Sequence, residues 1–374
     1  MRVSLHCGDS LEWLRTLPDA SVDAVVTDPP AGIAFMGAAW DRDKGGRDAW
    51  IAWLCEMMRE VWRVTKPGGH ALVWALPRTQ HWTATAVEDA GWEVRDVLMH
   101  IFGSGFPKSL NLPDGRGTAL KPSHEAWILA RKPLSGTVAA TVLEHGTGAL
   151  NIDGCRVGTD GGRTVHTSWS GGAGWSGNNG TGQVSEHGGR WPPHLLLTHA
   201  AACGETCADG CPVAEMDAQS GRLVSGSRKA GEHAPVGYMG SKPGAMPEIN
   251  GDTGGASRFF PVFRYVAKPS TAEKTCAGTV ENRHPTAKSI ALMRWLVRLI
   301  TPPGGLVLDP FLGSGTTGVA AVSEGNAFMG CDLSPEFVAV ARQRIEHALA
   351  GVGIEQTGEA AAAPEQKNAQ ISMW

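Results

Sequence analysis

The stretch Leu306-Val307-Leu308-Asp309-Pro310-Phe311-Leu312-Gly313-Ser314-Gly315-Thr316-Thr317-Gly318 constrains this chain more than any other. An apolar run ends in a turn of proline and glycines, and a helix-forming run follows at once to about Glu324. A strand that passes directly into a helix is a unit of a parallel sheet, because the helix must carry the chain back before the next strand begins. The glycines let the backbone turn tightly, and the first N–H groups of the helix are open to a negative group. Gly313, Gly315 and Gly318 fit the spacing of dinucleotide-binding turns, and Asp332 follows as an acid suited to ribose hydroxyls. Alone, the turn leaves three readings open: S-adenosylmethionine, a dinucleotide such as NAD, or a strand-to-helix bend without a ligand. A P-loop is excluded, since no Gly-Lys-Ser/Thr follows.

Three zones differ along the chain. In 1–135, strand-like and helix-like patterns alternate. Leu11 to Leu17 reads as a short helix, and Val22 to Thr27 as a buried strand. Trp50 to Val64 carries apolar residues at helical spacing. Lys66-Pro67-Gly68-Gly69 reads as a helix stop, and Ala71 to Leu76 as a further buried strand. Residues 136–258 are rich in glycine, serine and threonine and read as an inserted, loop-rich module in which strands are hard to place. Residues 259–350 return to α/β order, with helices over Thr286–Ile300 and from Pro335 to about Ala348, and a strand over Ala327–Cys331. The tail, 351–374, reads as flexible.

Thr27-Asp28-Pro29-Pro30 ends a buried strand. Two prolines fix the backbone and remove two N–H donors. The corner therefore presents one carboxylate and bare carbonyls. An exocyclic amino group on a base is a poor nucleophile. The Asp28 carboxylate and the Pro29 carbonyl can accept its two hydrogens, orient its lone pair and stabilise the charge that builds on nitrogen.

Together these residues resemble the β class of amino-methylating DNA methyltransferases, nearest to prophage-type DNA methylases. The resemblance rests on His6-Cys7-Gly8-Asp9, Val22 to Pro30, Lys66 to Gly69, Gly103-Ser104-Gly105-Phe106-Pro107-Lys108-Ser109, His284-Pro285-Thr286 with Lys288, Asp309 to Gly315, and Asp332 to Pro335. It implies a circularly permuted, Rossmann-like α/β fold with the catalytic motif early and the cofactor motif late. It further implies a site-specific enzyme of restriction–modification type that uses S-adenosylmethionine on double-stranded DNA. Asp28, Pro29, Pro30 and Ala31 are then catalytic. Asp309, Pro310, Phe311, Gly313, Ser314, Gly315 and Thr316 wrap the cofactor, with Asp332 on its ribose, Asp9 near its adenosine end, and Thr286 and Lys288 near its methionine end. The family usually has Lys-Pro where this chain has Lys288-Ser289. It carries an aromatic residue, usually tyrosine, where this chain has Ala31. Base–aromatic stacking contributes about 1–3 kcal/mol, so its loss predicts roughly 5- to 150-fold weaker capture of the base. Phe35 or Trp40 could supply the ring instead. Asp rather than Ser at the head of the motif favours adenine N6 over cytosine N4.

The family keeps its target-recognition module where this chain has its insertion. Acidic residues slightly outnumber basic ones there, so DNA contact rests on clusters such as Arg228-Lys229, and on Phe106 and Lys108 in the catalytic half. His199, Cys203, Cys207 and Cys211 offer four ligands to a structural zinc ion at an unusual spacing, the other reading being reduced surface thiols.

Bulk properties bound the alternatives. The length of 374 residues admits one large domain with an insertion, or two domains, and a 42% hydrophobic content excludes wholesale disorder. The formal charge of −4 excludes a polycation. No apolar run reaches the roughly 20 residues a membrane span requires. The N-terminal residues lack a secretion-signal layout, so a cytoplasmic protein with reduced or metal-bound cysteines is expected. A homodimer is compatible with all of this. The rival readings are a methyltransferase for another substrate, an impaired DNA-binding protein that keeps the fold, and an NAD-dependent oxidoreductase.

Overall fold

A computed structural model describes residues 2–33, 41–42, 44–103, 105, 110, 112–158, 164–168, 183–187, 189–200, 202–204, 206–226, 251–263, 275–276, 278, 280–282 and 287–351. Thr286, Phe106, Lys108, Arg228, Lys229, Phe35, Trp40 and nearly all of the tail lie outside the described residues.

The strands are β1 (Val3–Cys7), β2 (Val22–Thr27), β3 (Thr65–Ala75), β4 (Glu93–Ile101), β5 (His124–Arg131), β6 (Thr164–Ser168), β7 (Gln183–His187), β8 (Leu195–Thr198), β9 (Leu223–Val224), β10 (Thr253–Gly254), β11 (Val262–Phe263), β12 (Leu306–Asp309) and β13 (Ala327–Asp332). The helices are α1 (Ser10–Thr16), α2 (Arg47–Val64), α3 (Gln80–Asp89), α4 (Val138–His145), α5 (Pro212–Ser220), α6 (Ile290–Ile300), α7 (Thr316–Ser323) and α8 (Pro335–Leu349).

Nine strands form one sheet in the order β1-β13-β12-β2-β3-β5-β4-β8-β11. The last two described strands of the chain lie between its first two. Such an order requires the chain to begin beside the strand with which the sheet is completed, which is the permutation expected from the motif order. The sheet is mixed rather than wholly parallel, because β5 runs antiparallel to both β3 and β4.

Alternation along the central strands covers both faces. Ala24, Val26, Leu72 and Val307 pack under α6, α7 and α8. Val25, Ala71, Val73 and Leu308 pack under α1, α2 and α3. A side chain reverses face at each residue of a strand, so a strand covered on both sides is apolar through its middle, as Ala24, Val25 and Val26 of the wholly buried β2 are.

Three expectations need correction. The Lys66–Gly69 segment is not a gap between helix and strand; β3 begins at Thr65, and the pairing jumps from Val22↔Thr65 to Ala24↔His70. The extra residues form a bulge, with Gly68 at φ +74°. Helix α6 starts at Ile290 rather than Thr286, because Ser289 takes the extended conformation of an N-cap. The inserted zone does contain strands: β6 pairs with β7 and β9 with β10, while β8 extends the main sheet beyond β4 and is itself flanked by β11, just past the zone. Their shortness hid them. Among the described residues, no helix is long and apolar enough to cross a membrane.

Candidate active site

Strands β2 and β12 are parallel neighbours, so their carboxyl ends open at the same edge of the sheet. Ligands of open α/β sheets bind at that edge, where the strand order reverses. Thr27 ends β2 and Asp309 ends β12, and the Thr27 hydroxyl donates to Asp309 Oδ1 at 2.7 Å. Thr317 Oγ1 donates to Oδ2 at 2.6 Å, and the Phe311 N–H donates to Oδ1 at 3.1 Å. Asp309 is buried, and burial pushes its carboxyl up to about 6 despite these donors. Sequence reasoning grouped Asp309 with the cofactor ligands. Its side chain instead points into the fold and shapes the turn from behind.

The turn itself is held at every step. Ser10 Oγ donates to the Pro310 carbonyl at 2.6 Å, and the Leu312 N–H reaches the Cys331 carbonyl at 2.9 Å. The Gly313 N–H donates to Asp332 Oδ2 at 2.8 Å, and the Ser334 N–H to Oδ1 at 2.9 Å. Asp332 remains partly exposed, with its pKa raised by burial against these two bonds. Gly315 sits at φ +78°, and a Cβ there would lie 2.6 Å from the Ala341 Cβ. No other residue fits both that conformation and that contact with α8. Ser314 and Thr316 face away from the crevice. Buried Arg344 of α8 donates through Nη1 to the Ser314 carbonyl at 2.6 Å, and to Ser314 Oγ and Thr316 Oγ1 at 3.1 Å each.

Of the expected cofactor residues, Phe311, Gly313 and Asp332 are partly exposed, whereas Asp309, Ser314, Gly315 and Thr316 are buried. Phe311 packs against Trp53 of α2, ring centroids 5.9 Å apart. Asp9 caps α1 by accepting the Glu12 N–H at 3.0 Å. It follows β1, whose Cys7 is paired with Asp332, so Asp9 and Asp332 belong to neighbouring strand ends.

Beyond the two prolines, Ala31 passes into Gly32, whose N–H donates to buried Asp41 at 2.8 Å. Lys288, just before α6, joins this corner. Its Nζ lies 3.2 Å from Asp28 Oδ2, 3.6 Å from Glu125 Oε2 of β5, and 4.1 Å from the ring centroid of Trp74 on β3. Desolvation dominates at Asp28 and raises its carboxyl to about 6; Lys288 opposes this and Glu125 adds to it. At Glu125 burial also favours the neutral acid, but the nearby charges of Lys288 and His100 prevail and hold it below the usual carboxylate range. Burial works against the Lys288 cation, and the two carboxylates raise its pKa all the same. One cation thus serves two acids. The resemblance implies a place for Lys288 at the cofactor's methionine end; in the structure its Nζ pairs with the Asp28 carboxylate.

Sequence reasoning missed Glu125, Trp74 and Arg344. Glu125 had a signal, a lone carboxylate at the head of the apolar run Ala126–Ala130. Arg344 had none, since a charged residue on a terminal helix reads as solvated.

Away from this edge, His199, Cys203, Cys207 and Cys211 come together, their ligand atoms all within 4.8 Å of one another.

Comparison with known proteins places the chain. It is 44% identical over 64 residues to the type II methyltransferase M2.DpnII of Streptococcus pneumoniae, which is 17% of this chain and 24% of that protein. It is 38% identical over 63 residues to the DNA adenine methyltransferase YhdJ of Escherichia coli K12, 17% of this chain and 21% of that protein. These matches span about a quarter or less of the relatives' own length. Among solved structures, the PvuII DNA methyltransferase (cytosine-N4-specific) aligns with a TM-score of 0.48 at 15% identity, covering 94% of each chain. A family model for DNA methylases matches residues 22–343. That match takes in the acid-and-proline corner, the glycine turn and every strand of the main sheet but β1, and the chain belongs to the DNA methylase family.

Proposed function

We propose that this protein transfers a methyl group from S-adenosylmethionine to an exocyclic amino group of a base in double-stranded DNA, with adenine N6 preferred. The observation that carries this reading is the shared edge of β2 and β12, which sets Asp28 and the 310–315 turn side by side. A dinucleotide reading of the turn leaves the Asp-Pro-Pro corner without a task.

The residues fit the cofactor. Asp332 is a partly exposed carboxylate beside the turn, with each oxygen held by a backbone N–H, and it retains lone pairs for a ribose diol. The outer side of the turn offers the Phe311 ring. When bound, S-adenosylmethionine supplies an electrophilic methyl group on sulfur.

The chain does the rest by positioning. Asp28 and the Pro29 carbonyl accept the two amino hydrogens, which turns the nitrogen lone pair toward the methyl carbon. The same two oxygens would stabilise the positive charge that builds on nitrogen as the methyl group passes to it from sulfur, the sulfur–carbon bond breaking as the nitrogen–carbon bond forms. Asp28 then takes the surplus proton, a role suited to a carboxyl whose pKa is about 6. Lys288 keeps Asp28 from being neutral throughout the neutral range. The base must leave its stack to reach this edge. Ala31 offers no ring to stack on it, so base capture is weak. The Asp at the head of the corner supports adenine.

The test is nucleoside mass spectrometry of DNA from cells expressing the protein. N6-methyladenine with the intact protein, and none with Asp28→Ala, is expected. No methylated base with the intact protein, or an undiminished level with Asp28→Ala, would count against the proposal.

A further inference from the structure

We propose that His199, Cys203, Cys207 and Cys211 hold a structural zinc ion that fastens the outer edge of the sheet, a site separate from the methyl-transfer chemistry. Tetrahedral zinc with Zn–S near 2.3 Å and Zn–N near 2.0–2.1 Å sets sulfur and nitrogen ligands roughly 3.6 Å apart. His199 Nδ1 lies 3.4 Å from Cys207 Sγ and 3.5 Å from Cys211 Sγ. All four ligand atoms fall within 4.8 Å of one another, so a single ion between them reaches each.

The backbone is shaped for such an ion. Two tight turns carry the ligands, one closed by the Cys203 N–H on the Ala200 carbonyl at 3.0 Å, the other by the Cys211 N–H on the Ala208 carbonyl at 3.1 Å. Backbone N–H groups also point at sulfur: Ala208 N–H at Cys203 Sγ, 3.2 Å, and Ala200 N–H at Cys211 Sγ, 3.5 Å. Three thiolates and a neutral imidazole around a dication leave one net negative charge, which these donors offset. Loading balances as one zinc dication taken up for three thiol protons released to solvent.

Placement argues for a structural role. His199 directly follows β8, and Cys211 directly precedes α5. Four strand steps separate β8 from β2 in the sheet order, roughly 19 Å at about 4.8 Å per step. Four protein ligands leave no open position for a substrate. What the ion would fasten is otherwise thinly supported. β11 is two residues long, tied to β8 by the His199 N–H on the Phe263 carbonyl at 3.0 Å. The local core is small, with Leu197, Cys211 and Val213 as its buried members. Pro212 packs beneath Gly103, where a Cβ would lie 3.1 Å from its ring. The ion therefore braces the segment that packs against Gly103, the first residue of the stretch that the sequence marks for DNA contact.

The test is elemental analysis of the full-length protein purified without chelator, combined with thiol titration. About one zinc per chain is expected, with three thiols becoming reactive only when zinc is stripped. Cobalt substitution should give thiolate-to-cobalt charge-transfer absorption. Cys207→Ser should lose at least tenfold in zinc content, whereas Cys55→Ala should keep full content. Intact protein with no zinc and with freely reactive or disulfide-paired cysteines at 203, 207 and 211 would overturn the proposal. So would Cys207→Ser retaining the full complement. The measurements on intact protein decide the matter even where a variant fails to fold.

Discussion

Thr27 and Asp309, 282 positions apart in the chain, share a buried hydrogen bond of 2.7 Å. At the other end of the same strand pair, the Leu306 N–H donates to Asp23 Oδ2 at 2.7 Å. The β2–β12 ladder is thus clipped at both ends. The edge the two strands form is a consequence of backbone pairing and not of loop placement.

Removing one donor from Asp309 should test that clip. Thr317→Val leaves a buried carboxylate oxygen without its 2.6 Å partner, and stability should fall by about 1–3 kcal/mol. Urea unfolding at pH 8 would measure it. The loss should shrink below pH 6, because the Asp309 carboxyl is raised to about 6 and its neutral form needs fewer donors.

Activity should depend on the ionisation of Asp28. Its carboxyl is raised to about 6 by desolvation, and only the ionised form accepts both an amino hydrogen and the product proton. The profile of kcat/KM should therefore rise as pH passes 6 and then level. Lys288→Met removes the opposing cation, and an opposite charge at this range lowers a carboxyl by about 1–3 pH units. The rising limb should move upward to pH 7 or beyond in the variant. A limb that stays in place would show that Lys288 does not govern Asp28.

Restoring a ring at the corner should strengthen base capture. Ala31→Tyr adds a stacking surface worth about 1–3 kcal/mol, or roughly 5- to 150-fold in kcat/KM for DNA. Affinity for S-adenosylmethionine should not change. Steady-state methylation with varied DNA distinguishes the two effects.

The cofactor turn should be sensitive to its buried support. Arg344→Met removes three hydrogen bonds to Ser314 and Thr316. Taking the loss as about 2 kcal/mol, S-adenosylmethionine should bind roughly 30-fold more weakly. Calorimetric titration reads this directly. Unchanged affinity would mean that the turn keeps its shape without α8.

Much of this is legible in the sequence. The two motifs punctuate apolar runs, the Asp-Pro-Pro corner after Val22–Thr27 and the glycine turn after Leu306–Leu308, so β2 and β12 and the helices α7 and α8 are legible nearly to the residue. Side-chain direction was not legible. Asp309, Ser314 and Thr316 sit in the motif yet turn inward to Thr317 and Arg344, because a turn built of small residues has two sides and sequence spacing does not label them. Lys288 was recognised as part of the site but its partner was not, since Glu125 comes from a strand 163 positions earlier. The short strands β8 and β11 escape because, unlike the equally short β12, neither is marked by an adjoining motif, and their pairing is set by tertiary contact.

The central claim is that Asp28 and the glycine turn act on one transferred methyl group. The direct measurement is transfer of radiolabelled methyl from S-adenosylmethionine to DNA by the intact protein, Asp28→Ala and Asp332→Ala, with cofactor affinity determined for each. Asp28→Ala should bind the cofactor as the intact protein does and transfer no label, whereas Asp332→Ala should lose affinity by at least tenfold. Label on DNA at the intact rate with Asp28→Ala, or cofactor binding untouched by Asp332→Ala, would contradict the account.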